Sequence, residues 1–266
     1  MSGAVDPGNP WRDKWAVVTG ASSGIGLAIA EELAAGGTKL VLVARRGDRL
    51  KEFQSRLAVP VEIFEADLGL AESPGRLFEF TEARGIQPEL LVNDAGFGTY
   101  GEFRETDYRR QLEMIQVNTA AVVALTHLYL PGMVARKSGD ILIVASTAAF
   151  QAVPYQTVYA ATKAFDLIFA EGLAEEVKRH GVRVCALCPG QTKSEFHEIA
   201  REPIPGAMSV QTAAEVARIG LNAMRTGKHF VICGFSNLLG MELQRLVPRR
   251  VATGVSERLF RPKTLN

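Results

Sequence analysis

Residues 15–26 read WAVVTGASSGIG. A short run rich in β-branched side chains enters a glycine-rich turn, and the turn enters GLAIAEELAAG, whose apolar residues recur at helical spacing. A strand feeding a helix in this way opens a βα unit, and the alternation continues down the chain. Further strand-like runs are KLVLVA (39–44), VEIFEA (61–66), ELLVN (89–93), DILIVAS (140–146), VRVCALC (182–188) and HFVIC (229–233). Helical patterns such as DYRRQLEMIQVNTAAVVALTHLYL and VYAATKAFDLIFAEGLAEEVKRH lie between them. Strict alternation implies parallel pairing through right-handed crossovers, so the sequence predicts an α/β fold: one doubly wound parallel β-sheet with helices on both faces.

The bulk numbers agree with a single domain. The chain has 266 residues, 47% hydrophobic and 22% charged, enough to bury one large core. A formal charge of +1 gives no electrostatic case for nucleic acid. Residues 1–13 read as a flexible leader without the features of a signal peptide. Residues 14–235 then form the domain, with a substrate loop at about 193–210, and residues 236–266 form a basic amphipathic extension. The stretch 141–162 lacks charge, but Pro154 and its many polar side chains argue against a membrane span. Three cysteines make no disulfide framework and point to a reducing cytoplasm. Cys185 and Cys188 are three apart on a strand and face opposite sides, so neither a metal nor a redox pair is expected.

In sheets of this type ligands bind beyond the carboxyl ends of the strands. The turn after the first strand offers Gly20, Ser22, Ser23, Gly24, Ile25 and Gly26 to a pyrophosphate, with free N–H groups at the start of the following helix. The bland alternative is a plain βα connection. The second strand ends in Ala44, Arg45 and Arg46, with no acid for the ribose 2′-hydroxyl that NAD would present. A guanidinium there suits a 2′-phosphate, so NADP(H) is preferred over NAD(H), with Arg45 carrying most of the weight; two solvated arginines are the alternative. Asp67 and Leu68 follow the third strand, and Asn93, Ala95 and Gly96 the fourth; they line the adenosine side or merely turn the chain.

The stretch YAATK places Tyr159 and Lys163 one helical turn apart. A cation beside a phenol favours the phenolate and lets it exchange a proton near neutral pH, although the same spacing also occurs on helices that only pack. The wider set decides. TGASSGIG, Asp67, NDAG (93–96), Asn118, Ser146, YAATK, Pro189, Gly190 and Thr192 resemble, in order and spacing, the short-chain dehydrogenase/reductase family over about residues 14–192. The resemblance implies a Rossmann-like fold, direct hydride transfer without a metal, and roles for the matching positions. Tyr159 would be the acid or base at the reacting oxygen, and Ser146 would hydrogen-bond that oxygen. Lys163 would hold the nicotinamide ribose and lower the tyrosine's pKa, and Asn118 would position a water in a proton relay. Pro189, Gly190 and Thr192 would hold the nicotinamide end. It also implies a homodimer or homotetramer paired through the helices bearing Asn118 and Tyr159. Two departures are visible: Asp94 replaces the family's usual asparagine, and Ser23 stands where some NADP-dependent members carry a basic residue.

Substrate choice is expected from Ser146, Phe97, Phe150, Val153, Tyr155 and Phe196, with Tyr100 nearby, a set suited to a lipophilic ketone or aldehyde of the 3-oxoacyl or hydroxysteroid kind, unless the aromatics are core. From Glu242 to Lys263 six basic residues face two acids among spaced leucines and valines. This tail reads as a membrane-surface helix, a lid, a dock for an acyl carrier or a coenzyme A phosphate, or a helix packed on the domain or on a partner subunit. The sequence as a whole predicts an NADP(H)-dependent oxidoreductase interconverting a carbonyl and an alcohol; the alternative is a non-catalytic nucleotide-sensing or membrane-associated regulatory protein.

Overall fold

The structure is a computed structural model that describes residues 9–193, 195, 200 and 210–262. The strands are β1 (Trp15–Thr19), β2 (Lys39–Ala44), β3 (Val61–Glu65), β4 (Pro88–Asn93), β5 (Gly139–Val144), β6 (Val182–Cys188), β7 (Thr192–Lys193), β8 (Gln211–Thr212) and β9 (Phe230–Ile232). Seven of them form one sheet in the order β3-β2-β1-β4-β5-β6-β9, every neighbour parallel, while β7 and β8 pair separately. The order runs outward from β1 to β3 and then returns to place β4 on the other side of β1. The crevice at that reversal, beyond the carboxyl ends of β1 and β4, is where a ligand fits such a sheet.

The helices are α1 (Gly24–Ala35), α2 (Gly47–Gln54), α3 (Ser73–Glu82), α4 (Tyr108–Ile115), α5 (Ala121–Arg136), α6 (Thr157–Val177), α7 (Ala213–Arg225), α8 (Phe235–Gln244) and α9 (Arg249–Phe260). Alternate strand residues feed two cores, one on each face. Val18, Leu40 and Leu42 pack with Ile29 and Leu33 of α1 and with Val216 and Leu221 of α7. Val17, Val41 and Val43 face the side covered by Leu125 and Met133 of α5 and by Leu167 and Ala170 of α6. Cys185 joins the first core and Cys188 the second, as residues three apart on a strand must. Burial holds both thiols in the protonated form, with pKa values pushed well up.

One π-helical turn, Gln116–Ala120, joins α4 to α5 and carries Asn118. Among the described residues Tyr108–Arg136 is long and apolar enough to cross a membrane by length and composition. Here Leu125, Tyr129 and Met133 are buried inside the protein instead.

The expected leader is too long. Residues 9–13 dock beneath the sheet: Trp11 is 1% exposed and its Nε1 donates to Asp140 Oδ2 at 2.7 Å. Arg183 clamps both oxygens of that carboxylate at 2.7 Å, and Asn9 Nδ2 donates to the Gly36 carbonyl oxygen at 2.9 Å. A single buried indole in a short polar stretch has no periodicity to announce it.

Candidate active site

The floor of the cleft is backbone brought unusually close. Gly20 and Gly24 have φ of +70° and +60°, a region that suits glycine. A Cβ on Gly26 would stand 2.7 Å from the Gly20 carbonyl oxygen, so a side chain there would force the turn apart. Gly26 itself lies beneath the wall, whereas Gly20, Ser22, Ser23, Gly24 and Ile25 line it. Thr19 Oγ1 accepts from the amides of Asp94 and Ala95, both at 3.0 Å, and so ties the ends of β1 and β4 together. Ser23 does not cap α1, and of the first-turn N–H groups Asp94 takes that of Gly26, which leaves those of Gly24 and Ile25 for a ligand at the cleft.

The cation over this loop is Arg46, not Arg45. Arg46 Nη2 donates to Ser23 Oγ at 2.8 Å and to Ser22 Oγ at 3.1 Å, and its Nη1 meets Glu195 Oε2 at 2.7 Å. Arg49 Nη1 reaches the other oxygen of Glu195 at 2.6 Å. Arg45 also lines the cleft, but its guanidinium turns toward Asp67 at 3.8 Å and Glu113 at 3.6 Å. Adjacent residues leaving a strand point to opposite sides, and the pattern ARR does not reveal which guanidinium faces the loop. Asp67 also accepts from the Gly69 amide at 2.9 Å, so it shapes its turn while lining the cleft beside Leu68.

The opposite wall carries the ionisable groups. Ser146 leaves the end of β5, and Tyr159 and Lys163 project from α6 into the same cleft. Lys163 is 6% exposed; its Nζ donates to the Val144 carbonyl oxygen at 2.7 Å and to Asp166 Oδ2 at 3.0 Å. Burial disfavours the ammonium, but Asp166, Tyr159 and Asp94 together hold its pKa above the ordinary value. Asp94 is driven the other way: burial pushes its carboxyl up to about 7 against the pull of Lys163 and of the Gly26 amide it accepts from.

Several expected contacts lie elsewhere. Asn118 is fully buried outside the cleft wall, and both ends of its amide are engaged: Oδ1 accepts from the Phe97 amide at 3.1 Å, and Nδ2 donates to the Phe97 carbonyl at 3.0 Å and to Thr162 Oγ1 at 3.1 Å. The side chain therefore fixes the loop carrying Phe97 and pins it to α6. Asn93 is likewise buried behind the wall, donating to Thr126 Oγ1 at 3.2 Å. Phe150 packs toward Phe230, ring centroids 6.2 Å apart, and Tyr155 turns to α9, where its hydroxyl donates to Glu257 at 2.6 Å. Neither lines the cleft. Tyr100 also faces α9, its hydroxyl donating to the Phe260 carbonyl at 2.7 Å. Phe97 and Val153 do line the cleft, beside Ala95, Gly96, Pro189, Gly190 and Thr192; Phe196 lies outside the described residues. The cleft, about 370 Å3, is completed by residues that motif reading passed over: Gln151 and Gln156 before α6, and Asn237, Met241 and Phe260 from α8 and α9.

These features fit a nicotinamide dinucleotide. The glycine turn lets a pyrophosphate approach the backbone, and the Arg46, Ser22 and Ser23 cluster offers donors to an anion on the ribose. When bound, the cofactor supplies or takes the hydride. The facing wall sets a hydroxyl, a phenol and a buried ammonium around one space, a set able to hydrogen-bond an oxygen, exchange a proton with it and keep a positive charge beside it.

The model of the short chain dehydrogenase family matches residues 14–204. The chain belongs to the short-chain dehydrogenase/reductase family. It is therefore a dehydrogenase/reductase, and the non-catalytic alternative gives way. It is 32% identical over 258 residues to a very-long-chain 3-oxoacyl-CoA reductase of Rattus norvegicus, covering 94% of this chain and 82% of that protein. Its likeness to the same enzyme of Bos taurus is 35% over 198 residues, 72% of this chain and 64% of that one. Among solved structures it resembles a short-chain dehydrogenase from Sphingobium yanoikuyae in complex with NADPH, with a TM-score of 0.78 and 28% identity over 88% of this chain and 94% of that one. In this dehydrogenase/reductase the motifs describe the glycine turn and the Tyr159–Lys163 wall, while Met241 and Phe260 of the last two helices complete the cleft.

Proposed function

We propose that this enzyme interconverts a carbonyl and an alcohol on an apolar substrate of small to medium size, using NADP(H), with Tyr159 as the acid or base. The observation that carries the reaction is the shared wall: Ser146 and Tyr159 open onto one cleft with Lys163 held charged by buried partners. Cofactor choice rests on Arg46. Its guanidinium spans Ser22 and Ser23 and, with Arg49, grips the Glu195 carboxylate, so the loop has the donors a 2′-phosphate needs. A 3-oxoacyl thioester is the first substrate to try, ahead of a hydroxysteroid. Phe97, Val153, Met241 and Phe260 give the cleft an apolar side, and the rat and bovine relatives are named for that reaction.

Loss of NADPH absorbance against 3-oxoacyl thioesters and lipophilic ketones tests the proposal, with Tyr159→Phe as control. Turnover by the wild type alone supports it. Turnover retained by the variant overturns the assignment of the acid, and an equal rate with NADH overturns the cofactor. Exposed Leu112, Ile115, Val123, Phe165 and Ile168 on α4 to α6 support pairing of copies through those helices, which light scattering would measure. Three free, buried thiols favour the cytoplasm as the working compartment, which fractionation would test.

A further inference from the structure

The last two helices turn the wrong sides outward for a protein bathed in water. On α8 the positions facing the protein include Asn237 and Gln244, which donate to the Cys233 and Phe150 carbonyl oxygens at 2.7 and 3.4 Å. On α9 they include the buried Ser256, and Glu257, which accepts from Tyr155. Met241 and Phe260 also face inward, but most of the large apolar groups of the two helices point outward. Phe235, Leu238, Leu239 and Leu243 form one stripe at helical spacing, and Val251, Val255 and Leu259 form another. Leu246 in the connection is 82% exposed. A helix serving only a water-soluble domain places its polar face outside, so this is an inverted arrangement. Exposed apolar stripes of this kind mark a docking face.

The charges on it select the occupant. Arg245 and Arg261 are paired with Glu242 and Glu257 at 3.2 and 2.8 Å. Arg249, Arg250 and Arg258 form no ion pair with any described residue. A two-fold pairing of copies through this face would set the same cations against themselves. An anionic headgroup layer would meet them with opposite charge while the acyl region accepts the leucines and valines.

We propose that α8 and α9 lie in the plane of an anionic lipid surface, apolar stripes inward to the lipid and arginines at headgroup level. The second helix has 12 residues, a footprint about 18 Å long, enough to seat its whole stripe at one depth. Met241 and Phe260 of the same helices line the cleft, so docking brings the active site beside the acyl phase. Docking itself does not depend on the substrate or cofactor assigned above, and its test uses neither.

The full chain is floated with vesicles of phosphatidylcholine alone or with added phosphatidylglycerol, at low and high salt. The expected result is co-flotation with the anionic vesicles, weakened by salt. Replacing Leu246→Asp together with Val251→Asp should cut the bound fraction about tenfold or more, with the melting temperature unchanged. Arg249→Glu with Arg250→Glu should remove the preference for anionic vesicles. Wild-type protein that stays out of the lipid fraction in every condition overturns the proposal. So does a Leu246→Asp, Val251→Asp protein that floats as before while light scattering shows a dimer falling to monomers.

Discussion

The end of the cleft that we assign to the cofactor is made mostly of backbone, and the end that we assign to the substrate is made of side chains from two loops and from the distant α8 and α9. At Gly20, Gly24 and Gly26 the geometry leaves no room for a β-carbon or demands a conformation that suits glycine, so the residue type is dictated locally. Phe97, Val153, Met241 and Phe260 come from four separate places in the chain and meet only because the sheet and its flanking helices bring them together. A site built the first way tolerates little change and leaves a motif. A site built the second way can be re-cut for another substrate without disturbing the fold.

The comparison is sharpest where the two ends meet, at Tyr159. Tyr159→Phe should lower turnover at least about 100-fold while the dissociation constant for NADPH, read by fluorescence, stays within a factor of about two. If cofactor affinity falls in step with turnover, the tyrosine belongs to the binding end as much as to the reacting end. The complementary change is Arg46→Ala. Loss of charge-assisted bonds to a 2′-phosphate should weaken NADPH about tenfold or more and leave NADH affinity nearly untouched. Equal losses for both cofactors would make Arg46 a brace for the serine turn.

This division explains what could be read without coordinates. Every main-sheet strand coincides with a β-branched run to within two residues at its ends; DILIVAS, for example, leaves the sheet after Val144 so that Ser146 can face the cleft. Local chemistry writes those signals: alternation, glycine at a positive φ, a tyrosine one turn before a lysine. Three-dimensional facts do not write them. Whether Arg45 or Arg46 faces the loop depends on a backbone direction, and Phe150 and Tyr155 look like pocket aromatics until Phe230 and Glu257 are seen beside them. Asn118 was legible as a motif position, but its bonds to Phe97 and Thr162 were not. Asp166 did leave a trace, as the one acid inside the apolar stretch AFDLIFA, and a lone charge on a buried helix face signals a partner.

That acid gives the next test. Asp166 is 0% exposed and its carboxylate supports the Lys163 ammonium; the other charged or titratable groups near the lysine are Tyr159, Asp94 and Cys188. Asp166→Asn removes an attraction while the burial penalty remains, so Lys163 should lose its proton at lower pH. The alkaline fall of kcat should move down by about one pH unit, whereas a purely structural role would lower the melting temperature and leave the profile in place.

The smallest effect expected is at Asp94, where the glycine turn and the lysine share one carboxyl group. Its folded pKa of about 7 lies above the ordinary value of 3.8, so between those values the folded protein holds a proton that the unfolded chain has released. Its contribution to stability is therefore complete below the ordinary value and is lost as pH rises through about 7, where the half-buried group must ionise. Asp94→Asn carries no such proton. It can still accept from the Gly26 amide through its carbonyl oxygen, as the carboxylate does. The melting temperature of the variant relative to wild type should then climb by roughly 5 °C from the acid to the alkaline side of this window. Parallel melting curves across the window would mean that solvent in the cleft already relieves the charge, and the cofactor floor would be wetter than its packing suggests.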